Sequence, residues 1–277
     1  MKHYSICDKQ TKKSENDILE IHSIGYGNSF STGEGNSSFF IVDSKSKKTL
    51  LLDCGSLVYK SLREKELSNK IDWIFITHTH EDHIGSLSTL IYENFFIHNR
   101  KLKIVCNSNI FYDVNNYLKR VCHHKDEQYE ICVPNTSLLF EEEFIKDFPS
   151  FNLNTFITTG KHFPDLPSSG LSLKLKDIDF EVVFSGDLGV SVVDELELDK
   201  SSLEQGKFLV FQDAGTFKFP DTHLIPPHAY FENCDHPNSF LYHHMEHEVD
   251  IINNTCRLAK SIGTAANNNQ HFVIKKQ

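Results

Sequence analysis

Long apolar runs are absent from this 277-residue chain, and no stretch approaches the roughly 18–20 apolar residues of a membrane-spanning helix. Residues 1–20 are polar and lack the apolar core of a secretory signal, so the expected localisation is cytoplasmic. Its seven cysteines show no framework spacing, which argues against a disulfide scaffold and for reduced thiols. Cys122-His123-His124, with Cys106 and Cys132, lacks a paired Cys-x-x-Cys knuckle and is not read as a structural zinc site. Positive charge is also scarce: 28 Lys and Arg stand against 38 Asp and Glu, a formal net charge of −10. A large nucleic-acid footprint needs clustered Lys and Arg, so this balance disfavours one. The glycines from Gly25 to Gly35 lead into an apolar strand pattern and not a helix, so they do not form a nucleotide fingerprint.

What the chain does have is histidine and carboxylate in one place. Thr77-His78-Thr79-His80-Glu81-Asp82-His83 puts four potential metal ligands, His78, His80, Asp82 and His83, within six residues. The run follows Ile71-Asp72-Trp73-Ile74-Phe75-Ile76, a short, branched and aromatic stretch that reads as a buried strand. The ligands would then stand at the carboxyl end of a rigid element. Neutral imidazole suits zinc and its neighbours, and Asp82 adds an anionic oxygen. Four ligands packed this tightly point to two adjacent ions.

The pattern His-x-His-x-Asp-His resembles the signature of the metallo-β-lactamase fold, and four further motifs of that family follow the same order. Leu50-Leu51-Leu52 ends in Asp53-Cys54-Gly55; Gly160-Lys161-His162 precedes Pro164 to Gly170; Phe184-Ser185-Gly186-Asp187 comes next; Phe240-Leu241-Tyr242-His243-His244 is last. The resemblance covers roughly residues 20 to 250. It implies an α/β protein, an αββα sandwich of two mixed sheets flanked by helices. The expected organisation is a single domain over 1–277, with a possible lid or helical insertion around 107–156. Its aromatics Tyr112, Tyr117, Tyr129, Phe144 and Phe148 are candidates for base stacking or, more simply, for core packing.

The resemblance also implies a ligand set. His78, His80 and His162 would hold one ion and Asp82, His83 and His243 the other, with Asp187 shared and Asp53 orienting an imidazole from behind. Zinc is the default metal, manganese or iron the alternatives. A hydroxide held between two such ions is a nucleophile near neutral pH. Position 187 is not the Cys of the lactam-hydrolysing branch, and position 80 is not the Glu of the oxygen-reducing branch.

The stretch from Phe211-Gln212-Asp213 through Pro227-His228 to His243 resembles the phosphodiesterase branch that includes ribonuclease Z. There, an acidic residue paired with a His helps protonate the leaving oxygen. Asp213 and His228 would fill these roles, with His223 the other candidate for the His, and Asp82 joins the catalytic carboxylates. Ser168, Ser169 and His244 are weaker candidates for substrate contact. The interval from His162 to Asp187 leaves no room for the tRNA-gripping arm of ribonuclease Z. A two-metal phosphodiesterase acting on a cyclic nucleotide or short oligonucleotide is therefore expected, as a homodimer by family resemblance. The alternatives are a ribonuclease Z-like endonuclease, a lactonase or thioesterase, and a low-turnover nucleotide sensor.

Overall fold

The alternation of residues along the central strands decides the architecture. In Thr49–Leu52, Leu50 and Leu52 pack into one apolar cluster and Leu51 into another; in Trp73–Ile76, Trp73 and Phe75 separate from Ile74 and Ile76 in the same way. A strand buried on both faces must lie in a sheet covered on both sides, because successive side chains point to opposite faces.

The computed structural model describes residues 4–7, 14–31, 33, 35–123, 125–134, 138–213, 240–243, 264–265 and 271–276. The strands are β1 (Tyr4–Cys7), β2 (Asp17–Gly25), β3 (Ser38–Asp43), β4 (Thr49–Leu52), β5 (Trp73–Ile76), β6 (Leu102–Cys106), β7 (Tyr129–Cys132), β8 (Phe151–Ile157), β9 (Ser169–Leu175), β10 (Glu181–Phe184), β11 (Phe208–Asp213), β12 (Phe240–His243), β13 (Thr264–Ala265) and β14 (His271–Lys275). The helices are α1 (Val58–Glu64), α2 (Glu81–Ile84), α3 (Leu87–Phe96), α4 (Phe111–Val121), α5 (Lys125–Gln128), α6 (Leu138–Asp147), α7 (Val192–Glu195) and α8 (Lys200–Glu204).

One sheet has eight strands in the order β1-β14-β2-β3-β4-β5-β6-β7, the other six in the order β13-β12-β11-β10-β9-β8. Each joins an antiparallel portion to a parallel one: β4 through β7 run parallel, as do β10 through β13. The core between the sheets is aromatic. Phe39 meets Phe211 edge-on at 4.5 Å, and Phe184 stacks on Phe211 at 4.5 Å. Burying each such ring is worth roughly 1.5–3 kcal/mol, and favourable ring geometry adds about 0.5–1.5 kcal/mol. Leu62 of α1, Leu90 of α3 and Val114 of α4 pack with Leu51, Ile74 and Ile104 on the outer face of the eight-stranded sheet. This is the αββα sandwich that the motif order implies.

The pattern of residues 56–69 predicts a helix, but α1 ends at Glu64 and gives way to a short 3-10 turn, Ser68–Lys70. Residues 271–275 are a strand inserted between β1 and β2, with Phe272 and Ile274 in the intersheet core. In the 107–156 segment, Phe144 and Phe148 enter the core against Trp73, Tyr129 is buried, and Tyr112 is 70% exposed. The pattern of residues 248–261 also predicts a helix, and that stretch lies outside the described residues. Among the described residues no helix is long and apolar enough to cross a membrane.

Candidate metal centre

The site assembles where parallel strands end. β4 is in register with β5, so Asp53 and Thr77 leave the sheet side by side. Asp53 turns into the left-handed region (φ 57°), which aims its carboxylate at the neighbouring strand end. Its Oδ1 accepts the Thr77 N–H at 2.8 Å; its Oδ2 accepts the Thr77 hydroxyl at 2.8 Å and faces His83 Nδ1 at 2.8 Å. This is the positioning expected of an aspartate that orients an imidazole without binding metal.

The loops after β4 and β5 are bonded to each other. Cys54 N–H donates to His83 O at 2.7 Å, and Ser56 N–H donates to Glu81 O at 3.1 Å. Gly55 lies at the closest approach, where a β-carbon would come 1.8 Å from the Asp82 carbonyl oxygen. A side chain at 55 would push the ligand loop outward, which is the physical reason for the Asp-Cys-Gly motif. Gly186, at φ 62°, lets the chain turn directly after β10 and deliver Asp187. Gly189 N–H donates to Lys161 O at 2.6 Å and so binds the Asp187 loop to the His162 loop.

These connections bring the ligands from distant positions to one point. Nε2 of His78 and Nε2 of His162 each lie 3.0 Å from Nδ1 of His80, and each is 3.6 Å from Asp187 Oδ2. One donor atom from each of His78, His80, His162 and Asp187 falls within 4.8 Å of the others. On the other side, His83 Nε2 is 3.3 Å from Asp187 Oδ1 and 3.6 Å from Asp82 Oδ2. The two oxygens of Asp187 thus address two groups of donors. His78, His83, His162, Asp82 and Asp187 are all buried, and His80 is half-buried.

The electrostatics suit cations. Burial, reinforced by His83 and opposed by Asp187, holds the His78 imidazole well below its ordinary value. Burial and then the neighbouring His162 bring His80 down to about 4. Both are therefore neutral at pH 7, the form that ligates metal. Burial also works against a proton on His83, but Asp187, Asp82 and Asp53 outweigh it and raise this imidazole well above its ordinary value. Two imidazole nitrogens, each 3.0 Å from the same His80 nitrogen and 3.6 Å from the Asp187 carboxylate, cannot all be satisfied by hydrogen bonds among themselves, since each neutral ring donates only one proton. A cation satisfies them all, so the donor set fits divalent metal.

The remaining expected residues fall as follows. Strand β12 ends at His243, whose register partner is Asp213 at the end of β11. This puts the His243 backbone at the same carboxyl edge of the sheet as Asp213. Asp213 is fully buried; its Oδ2 accepts the Leu188 N–H at 2.8 Å, and its own N–H donates to Ser185 Oγ at 2.8 Å. Ser168 and Ser169 are buried: Ser168 Oγ accepts the Thr158 hydroxyl at 2.9 Å, and the Ser169 N–H donates to the Thr77 carbonyl at 2.9 Å. Ser169 thus joins the six-stranded sheet to the ligand loop, while Ser168 ties the end of β8 to the start of β9. His223, His228 and His244 lie outside the described residues.

Phe163 was not singled out by the sequence. It is 42% exposed and meets the rings of His162 and His80 edge-on at 4.8 and 5.2 Å, so it forms an apolar lip on the centre. Its only sequence signal is its place beside His162.

Comparison with known proteins agrees with this geometry. The chain superposes on the metallo-β-lactamase fold protein YhfI from Bacillus subtilis with a TM-score of 0.64 and 17% identity, covering 92% of this chain and 99% of that one. Against human tRNase Z, short form, the TM-score is 0.64 at 17% identity, over 93% of this chain and all of that one. At such identities these likenesses establish the fold alone. In sequence the chain is similar to the Anti-Pycsar protein Apyc1 of Bacillus phage BSP38, 36% identical over 88 residues. That match is 31% of this chain and spans about a third of the relative's length. The family model described as Anti-Pycsar protein Apyc1 matches residues 19–236, which include His78, His80, Asp82, His83, His162 and Asp187 but not His243, and the chain belongs to that family.

Proposed function

We propose that this chain is a two-metal phosphodiesterase that opens a small cyclic nucleotide. The carrying observation is Asp187, whose Oδ2 faces His78 and His162 while its Oδ1 faces His83. A carboxylate presented in this way accommodates two cations at the roughly 3.5–4 Å separation at which metals act jointly. His78, His80 and His162 would hold one ion, and Asp82, His83 and His243 the other, with zinc the metal best suited to this set. When bound, such a pair supplies Lewis acidity at the phosphoryl oxygens and a water ionisable near neutral pH.

The chain supplies the rest. Asp53 keeps the His83 Nδ1 proton, so that Nε2 points into the site. The Phe163 face is available to a base while the phosphodiester enters toward Asp187. Asp213 and His228 are assigned to leaving-group protonation, with Asp213 held at the strand end by Ser185 and Leu188. Membership in a family whose proteins degrade cyclic nucleotides supports the substrate class. The net charge of −10 supports a small substrate over an RNA. A homodimer is the assembly proposed, and sedimentation equilibrium giving the mass of one chain would refute it.

The test is product chromatography after incubating zinc- or manganese-loaded protein with cyclic mononucleotides, cyclic dinucleotides and pre-tRNA. Opening of a cyclic nucleotide by the wild type, lost in Asp187→Asn, is expected. Cleavage of pre-tRNA alone, or of carboxylic esters alone, would overturn the reading.

A further inference from the structure

The only other grouping of metal-ligand side chains among the described residues is Glu20, His22 and His271. It is built by sheet pairing. His22 on β2 and His271 on β14 are direct register partners across an antiparallel pair, and Glu20 lies two residues along β2 on the same face. The neighbours Leu19, Ile21, Phe272 and Ile274 all enter the intersheet core. By alternation, Glu20, His22 and His271 occupy the opposite, outer face of the eight-stranded sheet, where His22 lies beside Phe40 at 6.1 Å.

The two imidazoles are stacked at 4.4 Å with their planes 4° apart, and a modest rotation that tilts the rings toward each other brings both Nε2 lone pairs onto one point. Glu20 Oε2 is 3.6 Å from His22 Nε2 and 3.9 Å from His271 Nε2, and all three donor atoms lie within 4.8 Å of one another. Tetrahedral zinc with ligands at about 2.0–2.1 Å sets its donors about 3.3 Å apart. The observed spacing therefore needs a contraction of only about 0.3–0.6 Å between Glu20 and each ring, within reach of side-chain rotation. Glu20 and His271 are mostly buried, with side chains 11% exposed, while the His22 side chain is 29% exposed, giving a site that is supported from below and open on one side.

We propose that Glu20, His22 and His271 form a further divalent-metal site of the zinc class, separate from the Asp187 centre, which fastens β14 to β2. Two imidazoles and a carboxylate make a familiar zinc set with one position left for water. Because the ligands come from residues far apart in sequence, an ion there would add a direct link between strands already joined by sheet hydrogen bonds, packing and the Lys275–Asp17 ion pair. It would add stability by binding the folded state selectively.

The experiment is zinc analysis of the whole chain after loading with Zn(II) and dialysis, comparing wild type with the double variant His22→Ala, His271→Ala. The variant is expected to hold one zinc per chain less than the wild type and to keep bis-p-nitrophenyl phosphate hydrolysis within about twofold. Zinc should also raise the melting temperature of the wild type more than that of the variant. Identical zinc content would overturn the proposal. So would a loss of zinc accompanied by loss of activity in a folded variant, because the ion would then belong to the Asp187 centre. If the double variant does not fold, His22→Gln serves instead; it is expected to weaken retention of the same single ion, and full retention would refute the site.

Discussion

Two groups of histidine and carboxylate lie in the same eight-stranded sheet or at its edge, and they are built differently. The Asp187 centre forms at one end of the two sheets, where loops from β4, β5, β8 and β10 converge on one volume. The Glu20 cluster sits on the pleat itself, where a side chain meets its cross-strand partner and its i+2 neighbour. Strand ends can gather seven expected ligands from four segments, those at the ends of β5, β8, β10 and β12, whereas a sheet face gathers two or three. The first arrangement supplies donors enough for the proposed pair of cations. The second supplies at most a clasp.

The contrast is broken most severely at Asp187. Asp187→Asn removes the negative charge of the carboxylate that faces both donor groups, and a loss of about 10³-fold or more in phosphodiester hydrolysis is expected, about 4 kcal/mol of transition-state stabilisation. Steady-state kinetics with unchanged circular dichroism checks this. The next effect falls on Asp53, which touches His83 and Thr77 but no substrate position. Asp53→Asn should weaken zinc binding about 10–100-fold, measured by chelator competition, because the imidazole loses its fixed orientation.

Acidity should separate the residues within the centre. His83 is held protonated well above its usual value, while His80 has dropped to about 4 and His78 lies well below its ordinary value. Between about pH 5 and 7 one proton, on His83, then competes with metal. Zinc affinity should rise about tenfold per pH unit, with close to one proton released, as calorimetry in buffers of different ionisation enthalpy would register. Release of three protons would show that the imidazoles are not already neutral. The smallest expected effect on activity is that of the paired His22→Ala, His271→Ala change, at most about twofold. This silence in catalysis together with a lost zinc would sharpen the distinction between centre and clasp.

Much of the first arrangement was legible along the chain. His78, His80, Asp82 and His83 lie within six residues because a loop leaving a single strand must present its ligands locally. Asp53, His162 and Asp187 each follow an apolar run or a glycine turn that fits a strand end. Phe163 was not legible, since an aromatic beside a histidine has no distinguishing pattern until the fold turns it onto His80. The strand at His271–Lys275 escaped for a related reason. Five residues behind an Asn-rich stretch carry a weak local signal, and what makes them a strand is the open edge of β2.

The sequence by itself determined the alternating apolar strands, the chemistry of the ligand run and the order of the motifs, because these depend on residue type and on spacings of a few positions. Only the tertiary structure decided that Asp187 faces two groups of donors, that Gly55 must admit the Asp82 carbonyl, and that His22 stacks on His271. Each of these depends on strand register and on how closely two backbones approach, quantities set by packing across the whole sandwich and not by any local stretch of chain.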